Sequence, residues 1–351
     1  MEEERVLTRL RTLNESELFY RNYRLAKFSP SGFEAFLERV DPEQVRRLDL
    51  LVPEWPDTIR AEYVESQFFS PDQRVGIHVS KHNCYTPPAA HHHNFFELFY
   101  VLEGSCAHQV REHTSVMRTG DLCFIQPRVT HALDVSDESV VIVAHIRRSA
   151  FRQHFFGLLQ GGHLLANFFI SSLYSKDPVS GLLFHTDGDP EIRQLYLDMY
   201  HEVCVDDVYS WRLLDHMVPI LFAKLLRGFS DHIEMIDSSE KAKLNDPRLL
   251  ILGYINDNYR TVTLEQVAEH FHYSVPHCSK LIQMSAGIGF IAFVRKIRMT
   301  HATALLRNTT TPIAEISYMV GYENPESFIR AFKKMYTVSP SQYRRQNTVQ
   351  K

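Results

Sequence analysis

The sequence predicts an α+β protein: an N-terminal β-barrel with flanking helices, then an all-α unit containing two helix-turn-helix motifs. Three observations predict it. Between about residues 61 and 150, short apolar runs are separated by Gly, Pro, Asp and Glu turn signals. On either side, apolar residues recur three and four apart, the helical period. Towards the C-terminus, two short amphipathic helices each lead across a tight turn into a helix with a polar outer face.

With 351 residues and 44% hydrophobic content, the chain can build two or three domains with real cores. The net charge of -4 conceals an asymmetry. Residues 246–351 hold 13 Lys+Arg against 7 Asp+Glu; subtracted from totals of 38 and 42, this leaves 25 against 35 before them. A basic C-terminal unit on an acidic body suits local phosphate binding. The five cysteines, Cys84, Cys106, Cys123, Cys204 and Cys278, lack metal or redox spacing and are expected as reduced, mostly buried thiols. The opening MEEERVLTRL is acidic and polar, unlike a signal peptide. No apolar run approaches the length of a membrane span.

Residues 1–60 read as a helical extension, with Leu7, Leu10, Leu18, Phe19, Phe33, Phe36 and Leu37 at helical spacing. Its expected role is packing or dimer support. Residues 61–150 read as the barrel, with strands near 74–79, 95–102, 122–125 and 140–146. Residues 151–235 return to helix. Phe151, Phe155, Leu158 and Leu159 form one stripe there, and Ile192, Leu195, Tyr196, Met199 and Val203 another. The leucine-rich run from Trp211 to Leu226 is apolar nearly all round, which predicts burial. This segment is expected to pack on the barrel and support a dimer. Residues 236–246 are polar and charged, as a linker would be.

Within the barrel the informative run is His91 to Gly104, HHHNFFELFYVLEG, followed by Gly120 to His131, GDLCFIQPRVTH. If His91 to Val101 is one extended strand, alternate residues share a face, which groups His91, His93 and Glu97 and leaves His92 exposed opposite them. His131 lies after a second turn and can close the set. The run resembles the cupin family in its His-x-His, Glu, turn Gly, Gly-Asp, Pro and His. Three uses fit these residues: divalent-metal ligation, the polar lining of an effector pocket, or histidines bonded to the barrel backbone. The expectation taken forward is an effector pocket of His91, His93, Glu97 and His131, with no metal and no cofactor.

Residues 247–351 form the second unit. Leu249, Leu252 and Ile255 mark its first helix. Thr263 caps a helix burying Leu264, Val267, Ala268 and Phe271. Ser274 caps the next, which buries Cys278, Leu281 and Ile282 and turns Pro276, Ser279, Lys280 and Gln283 outward. Phe290 to Asn308 reads as a connector about 27 Å long at 1.5 Å per residue. Its Arg295, Lys296 and Arg298 suit either phosphate contact or a solvated face. In the second motif Thr311 is the expected N-cap, with Pro312 in the first turn and Gly321 as the stop. Asn324 caps a helix with Pro325 first, burying Phe328, Phe332 and Met335 and exposing Glu326, Ser327, Arg330 and Lys333. Ser339-Pro340 starts a last helix carrying Tyr343 and Arg344.

The run Ile313, Ala314, Ile316, Gly321-Tyr322, Phe328, Arg330, Phe332-Lys333, Ser339-Pro340 and Tyr343-Arg344 resembles the C-terminal signature of AraC/XylS-type transcription regulators. Thr337 departs from it, standing where the family usually has glycine, so a slightly strained turn is expected there. The resemblance implies a cytoplasmic, homodimeric, sequence-specific binder of double-stranded DNA that responds to a small-molecule effector. It favours a carbohydrate, leaves RNA polymerase open as a further partner, and implies neither membrane attachment nor enzymatic activity. It places DNA binding on Pro276, Ser279, Lys280 and Gln283 and on Glu326, Ser327, Arg330 and Lys333, with base reading on Pro276, Ser279 and Lys280 and on Glu326, Ser327 and Arg330. Two other classes stay open: a cupin metalloenzyme with an attached DNA-binding unit, and a constitutive DNA-binding protein whose barrel is only a scaffold.

Overall fold

The computed structural model describes residues 2–69, 76–154, 164–175, 179–236 and 246–347. Four helices open the chain: α1 (Glu2–Arg11), α2 (Glu15–Ala26), α3 (Pro30–Leu37) and α4 (Pro42–Arg47). Asn14 accepts from the Glu17 amide, and the Glu17 carboxylate accepts from the Asn14 amide, closing a capping box on α2. Ser29 and Asp41 cap α3 and α4, each with proline in the first turn. Phe19, Tyr20, Tyr23, Val45, Leu50 and Val52 make a small core of their own, against which Phe33 and Phe36 pack.

The strands are β1 (Glu62–Tyr63), β2 (Ile77–Lys81), β3 (His92–His93), β4 (Phe96–Glu103), β5 (Ser105–Val110), β6 (His113–Arg118), β7 (Asp121–Ile125), β8 (His131–Asp134), β9 (Val140–Ile146), β10 (Gly181–His185) and β11 (Ile233–Met235). The helices among them are α5 (Glu65–Phe68), α6 (Arg148–His154), α7 (Leu164–Tyr174), α8 (Pro190–Val205) and α9 (Ser210–Phe229). Six strands form one sheet in the order β11-β10-β7-β4-β9-β2, and three form another, β6-β5-β8. Side-chain alternation sorts β4 between two environments. Phe99 and Val101 join Cys123, Ile125, Val141 and Val143 of their own sheet and Cys106, Val110, Met117 and Leu133 of the other in one shared interior. Phe96, Leu98 and Tyr100 face the other way. There Phe96 stacks on Phe151 of α6 at 4.0 Å, and Tyr100 on Tyr196 of α8 at 4.5 Å. Helices thus cover the outer face of the large sheet, and both faces are apolar.

The described elements fall into two compact units. The first holds α1 to α6 and β1 to β9, then β10, α8, α9 and β11. The second holds α7 and the C-terminal helices α10 (Pro247–Asp257), α11 (Leu264–His270), α12 (Val275–Ala286), α13 (Phe290–Asn308), α14 (Ile313–Met319), α15 (Pro325–Tyr336) and α16 (Pro340–Asn347). Within it α13 joins the pairs α11–α12 and α14–α15. Thr263 with Gln266, Ser274, Asn324 and Ser339 supply the N-caps expected of them.

Several expectations need correction. The segment 151–235 is not all helix: β10 and β11 extend the large sheet, with β10 beside β7. The run GLLFH is buried at Gly181, Leu182, Leu183 and Phe184, so it shows no alternation to mark it as a strand. α7 packs on α10 in the C-terminal unit, and Tyr174 meets Phe293 edge-on at 5.1 Å. α9 is amphipathic: Leu214, Val218, Leu221, Phe222 and Leu225 are buried, whereas Leu213 and Ile220 are 44% and 48% exposed. Pro312, not Thr311, stands at the N-cap of α14, without a side-chain bond. Leu281 is only half-buried and Met335 is exposed. Residues 74–75, Phe155, Leu158 and Leu159, and the linker at 237–245, lie outside the described residues.

Candidate functional site

His91 to Val101 is not one strand. His91 pairs with His131 by two backbone bonds of 2.9 Å, and β3 runs parallel to β1. The chain then bends at Asn94, whose side chain accepts from the Glu65 amide, and β4 enters the large sheet. The bend keeps the expected juxtaposition. His93, Glu97 and His131 are all buried, and His91 is half-buried beside them. His92 is not simply exposed: it is half-buried, 4.0 Å from Glu62.

Glu97 is the centre of the cluster. Its Oε2 lies 2.8 Å from His131 Nε2 and 3.3 Å from His93 Nε2; its Oε1 lies 3.0 Å from His145 Nε2. Burial pushes its carboxyl up, but the hydrogen bonds from His131, His145 and His93 outweigh that and hold it well below the usual 4.5. Burial lowers His93, and it takes His91 down to about 4. His91, Glu97 and His131 each bring one ligand atom within 4.8 Å of the others.

Sequence reasoning missed His145 and His108. His145 stands directly opposite Glu97 on β9, and His78 on β2 stands opposite His145, its ring stacked 5.7 Å away. The available signal was one histidine in the otherwise apolar run VVIVAHI. His108 of β5 is buried, with its ring 5.6 Å from that of His131 and its Nε2 without a hydrogen-bond partner. Phe68, Phe95 and Tyr63 wall the histidines, with Phe68 4.3 Å from His145.

The second candidate surface is the outer face of α12 and α15. Pro276, Lys280 and Gln283 are exposed and Ser279 is half-exposed, while Cys278 and Ile282 are buried beneath. On α15, Glu326, Arg330 and Lys333 are exposed and Ser327 is half-exposed over buried Phe328 and Phe332. Arg330 Nη2 lies 3.4 Å from Ser327 Oγ, and Asn324 caps through the Glu326 amide, so the Glu326 carboxylate is not needed for capping. Arg298 is tied into the fold: its Nε and Nη2 donate to the carbonyls of Tyr259 and Arg260 at 2.9 and 2.8 Å.

Residues 74–199 match the family described as AraC-like ligand binding domain, and residues 267–346 match that described as helix-turn-helix domain. The chain belongs to the AraC/XylS-type transcription regulators. It is 43% identical over 97 residues to the uncharacterized HTH-type transcriptional regulator YdiP of Escherichia coli K12, covering 27% of this chain and 32% of that one. It is 31% identical over 140 residues to the lactose operon transcription activator of Staphylococcus xylosus, covering 40% and 47%. Those matches span a third to a half of the relatives' own lengths. A longer match, 24% identical, joins 72% of this AraC/XylS-type chain to 86% of the transcriptional activator RhaS of E. coli O139:H28. Among solved structures, the C-terminal domain of AraT, a response regulator from Geobacillus stearothermophilus, is 42% identical; the match covers 28% of this chain and 83% of that one, with a TM-score of 0.27. Among the described residues no single helix is long and apolar enough to cross a membrane.

Proposed function

We propose that this chain is a cytoplasmic, sequence-specific regulator of transcription whose barrel responds to a small-molecule effector. The observation that carries it is the pair α12 and α15. Each follows a shorter helix across a tight turn, buries its apolar side, and presents Pro276, Ser279, Lys280 and Gln283, or Glu326, Ser327, Arg330 and Lys333. The second helix of such a motif enters the major groove. Arg330 grips guanine O6 and N7 in a bidentate contact, Lys280 takes the same atoms as a point charge, and Glu326 accepts from cytosine N4. The 19-residue α13 between the motifs is stiff enough to hold both on one side of a duplex, whose successive major-groove faces lie about 34 Å apart.

The barrel supplies the response. Glu97, His93 and His131 are polar groups inside an apolar interior, and such groups orient a polar ligand. The resemblance favours a carbohydrate. Val208, Tyr209, Leu213 and Ile220, around and along α9, are exposed and support pairing with a second copy. The regulators this chain resembles, and its DNA-facing helices, support a non-enzymatic role. Residues 247–351 are expected to bind duplex DNA with affinity that falls steeply with salt, and the full chain to select one operator sequence. Binding that ignores salt and sequence would sink the reading.

A further inference from the structure

Three parts of the C-terminal unit meet at the carbonyl oxygen of Arg260. The oxygen belongs to the loop between α10 and α11, which leads into the first helix-turn-helix. It accepts from Nη2 of Arg298, on the connector α13, at 2.8 Å. Gly321, in the turn of the second helix-turn-helix, lies so close to the same oxygen that a Cβ there would run into it. Arg298 sits at the centre of this junction. Its Nε donates to the neighbouring Tyr259 carbonyl at 2.9 Å. Its guanidinium lies over the Tyr322 ring, 5.5 Å from the centroid. Tyr322 follows Gly321 in the turn and meets Phe328, buried on α15, edge-on at 5.6 Å. One turn further along α13, on the same face as Arg298, His301 stacks on the Tyr259 ring at 3.8 Å. The connector therefore grips the loop before the first motif at two successive points, and from one of them it also holds the turn of the second.

The chemistry is that of a positioning device. Arginine keeps its charge, and its planar fork fixes the direction of each bond it makes. Among the described residues no carboxylate pairs with Arg298. Its donors go to two adjacent backbone carbonyls, which move only if the loop moves, and its face goes to an aromatic ring. The connector helix by itself cannot fix both motifs. Each joins it through a short loop, residues 287–289 on one side and 309–312 on the other. Backbone rotation in either loop swings a whole recognition helix. On a duplex, one base pair is about 3.4 Å of rise and about 35° of twist, so a small swing changes which base a side chain meets.

We propose that Arg298 sets the register between α12 and α15, so that the chain selects the spacing between two blocks of its operator as well as their sequence. Arg298 is a positioning residue here: it acts through the Tyr259 and Arg260 carbonyls and the Tyr322 ring, not as a base contact. The inference rests on reading α12 and α15 as the base-reading helices.

The test uses the full chain and a duplex that it selects from a random-sequence library. In that duplex one base pair is inserted or deleted between the two blocks. The wild type should lose about tenfold or more in affinity for either altered spacing, the scale of a misread base pair. Arg298→Met keeps the stem and removes the donors and the charge. It should bind the selected spacing more weakly, with base preference inside each block intact. Its penalty for altered spacing should shrink to about threefold or less, below the cost of one misread pair. Lys333→Ala, which removes a DNA-facing charge and leaves the junction whole, should weaken all spacings alike. If circular dichroism shows Arg298→Met unfolded, Arg298→Lys carries the test. It supplies a point charge without the fork, and its spacing penalty should also shrink. A wild-type penalty kept by the folded variant overturns the inference, as does a wild type indifferent to spacing. Sequence-selective binding in either case leaves the regulator reading standing. A wild type that selects no sequence counts against that reading instead.

Discussion

Gly321 lies against the backbone of Arg260. Its φ is +86°, and a Cβ added there would stand 2.4 Å from the Arg260 carbonyl oxygen. The turn of the second helix-turn-helix is therefore built onto the loop that precedes the first. Gly321→Ala meets two costs at once. The left-handed backbone costs about 1–2 kcal/mol for a residue with a side chain, and the clash costs about 1–3 kcal/mol more. Denaturant unfolding should show the C-terminal unit destabilised by about 2–5 kcal/mol. An unchanged midpoint would mean that this turn and Arg260 are not in contact.

Thr337 ends α15 in the left-handed region, at φ 65°, donating its amide to the Lys333 carbonyl. The turn is the strained one expected where the family usually has glycine. Thr337→Gly should stabilise the unit by about 0.5–1 kcal/mol, strain relief exceeding the entropy that glycine loses. DNA affinity should not change. A destabilised Thr337→Gly protein would place the turn elsewhere.

Two arginines near the end of the chain should separate cleanly. Arg330 is exposed on α15 and touches only Ser327 among the hydrogen bonds found for it. Arg330→Ala should cost about 1–3 kcal/mol at the cognate site and relax preference at one base pair. Arg344 instead donates to the Leu306 and Thr311 carbonyls at 3.4 and 2.5 Å, tying α16 to the end of α13. Arg344→Ala should lower the melting temperature with base preference intact. Equal losses on specific and random duplexes for Arg330→Ala would remove its base-reading role.

The C-terminal unit was legible because its signals are local. Asn324 with Pro325, Ser274 with Pro276, and Gly321 declare helix ends within a few residues. The barrel was legible at His93 and Glu97 for the wrong reason. Strand alternation groups them only along a straight strand, and this stretch bends at Asn94; the two still meet because the bend carries His93 back to the same interior. His145 escaped notice because its tie to Glu97 is cross-strand register, 48 residues away in sequence. β10 has no period of its own because its run is apolar from Gly181 to Phe184, and β11 is only three residues long, too short to show one. The pairing of α7 with α10 is likewise a tertiary choice between two apolar partners.

His301 gives the C-terminal unit a pH dependence. Its ring stacks on Tyr259 at 3.8 Å, and burial, aided by the charge of Arg260, pushes it down to about 3. Between about pH 6.5 and that value the unfolded chain binds a proton at this position and the folded chain does not, so stability falls as pH falls. The slope from one such residue is at most about 1.4 kcal/mol per pH unit. Urea unfolding at pH 7, 6 and 5 should show it, and His301→Phe should flatten it. An identical slope in His301→Phe would assign the acid sensitivity to other groups.

Glu17 ties the N-terminal helices to the barrel. It is fully buried, and its Oε1 lies 2.6 Å from Lys81 Nζ on β2 and accepts from the Cys84 amide at 3.0 Å. Its Oε2 closes the capping box on the Asn14 amide at 2.9 Å. One carboxylate thus satisfies a helix start, a loop amide and a buried ammonium. Glu17→Ala leaves Lys81 buried without this partner and should cost about 3–5 kcal/mol, the range for breaking a buried pair from one side. Replacing both, Glu17→Leu with Lys81→Met, should cost much less, because the desolvation of both charges disappears together. A double-mutant cycle with each single change measures the coupling, which should exceed about 1 kcal/mol. Additive losses in that cycle would show that Glu17 acts only as the cap of α2, and would leave α1 and α2 held to the barrel by their other contacts, among them Arg11 with Glu103 and Arg24 with Asp134.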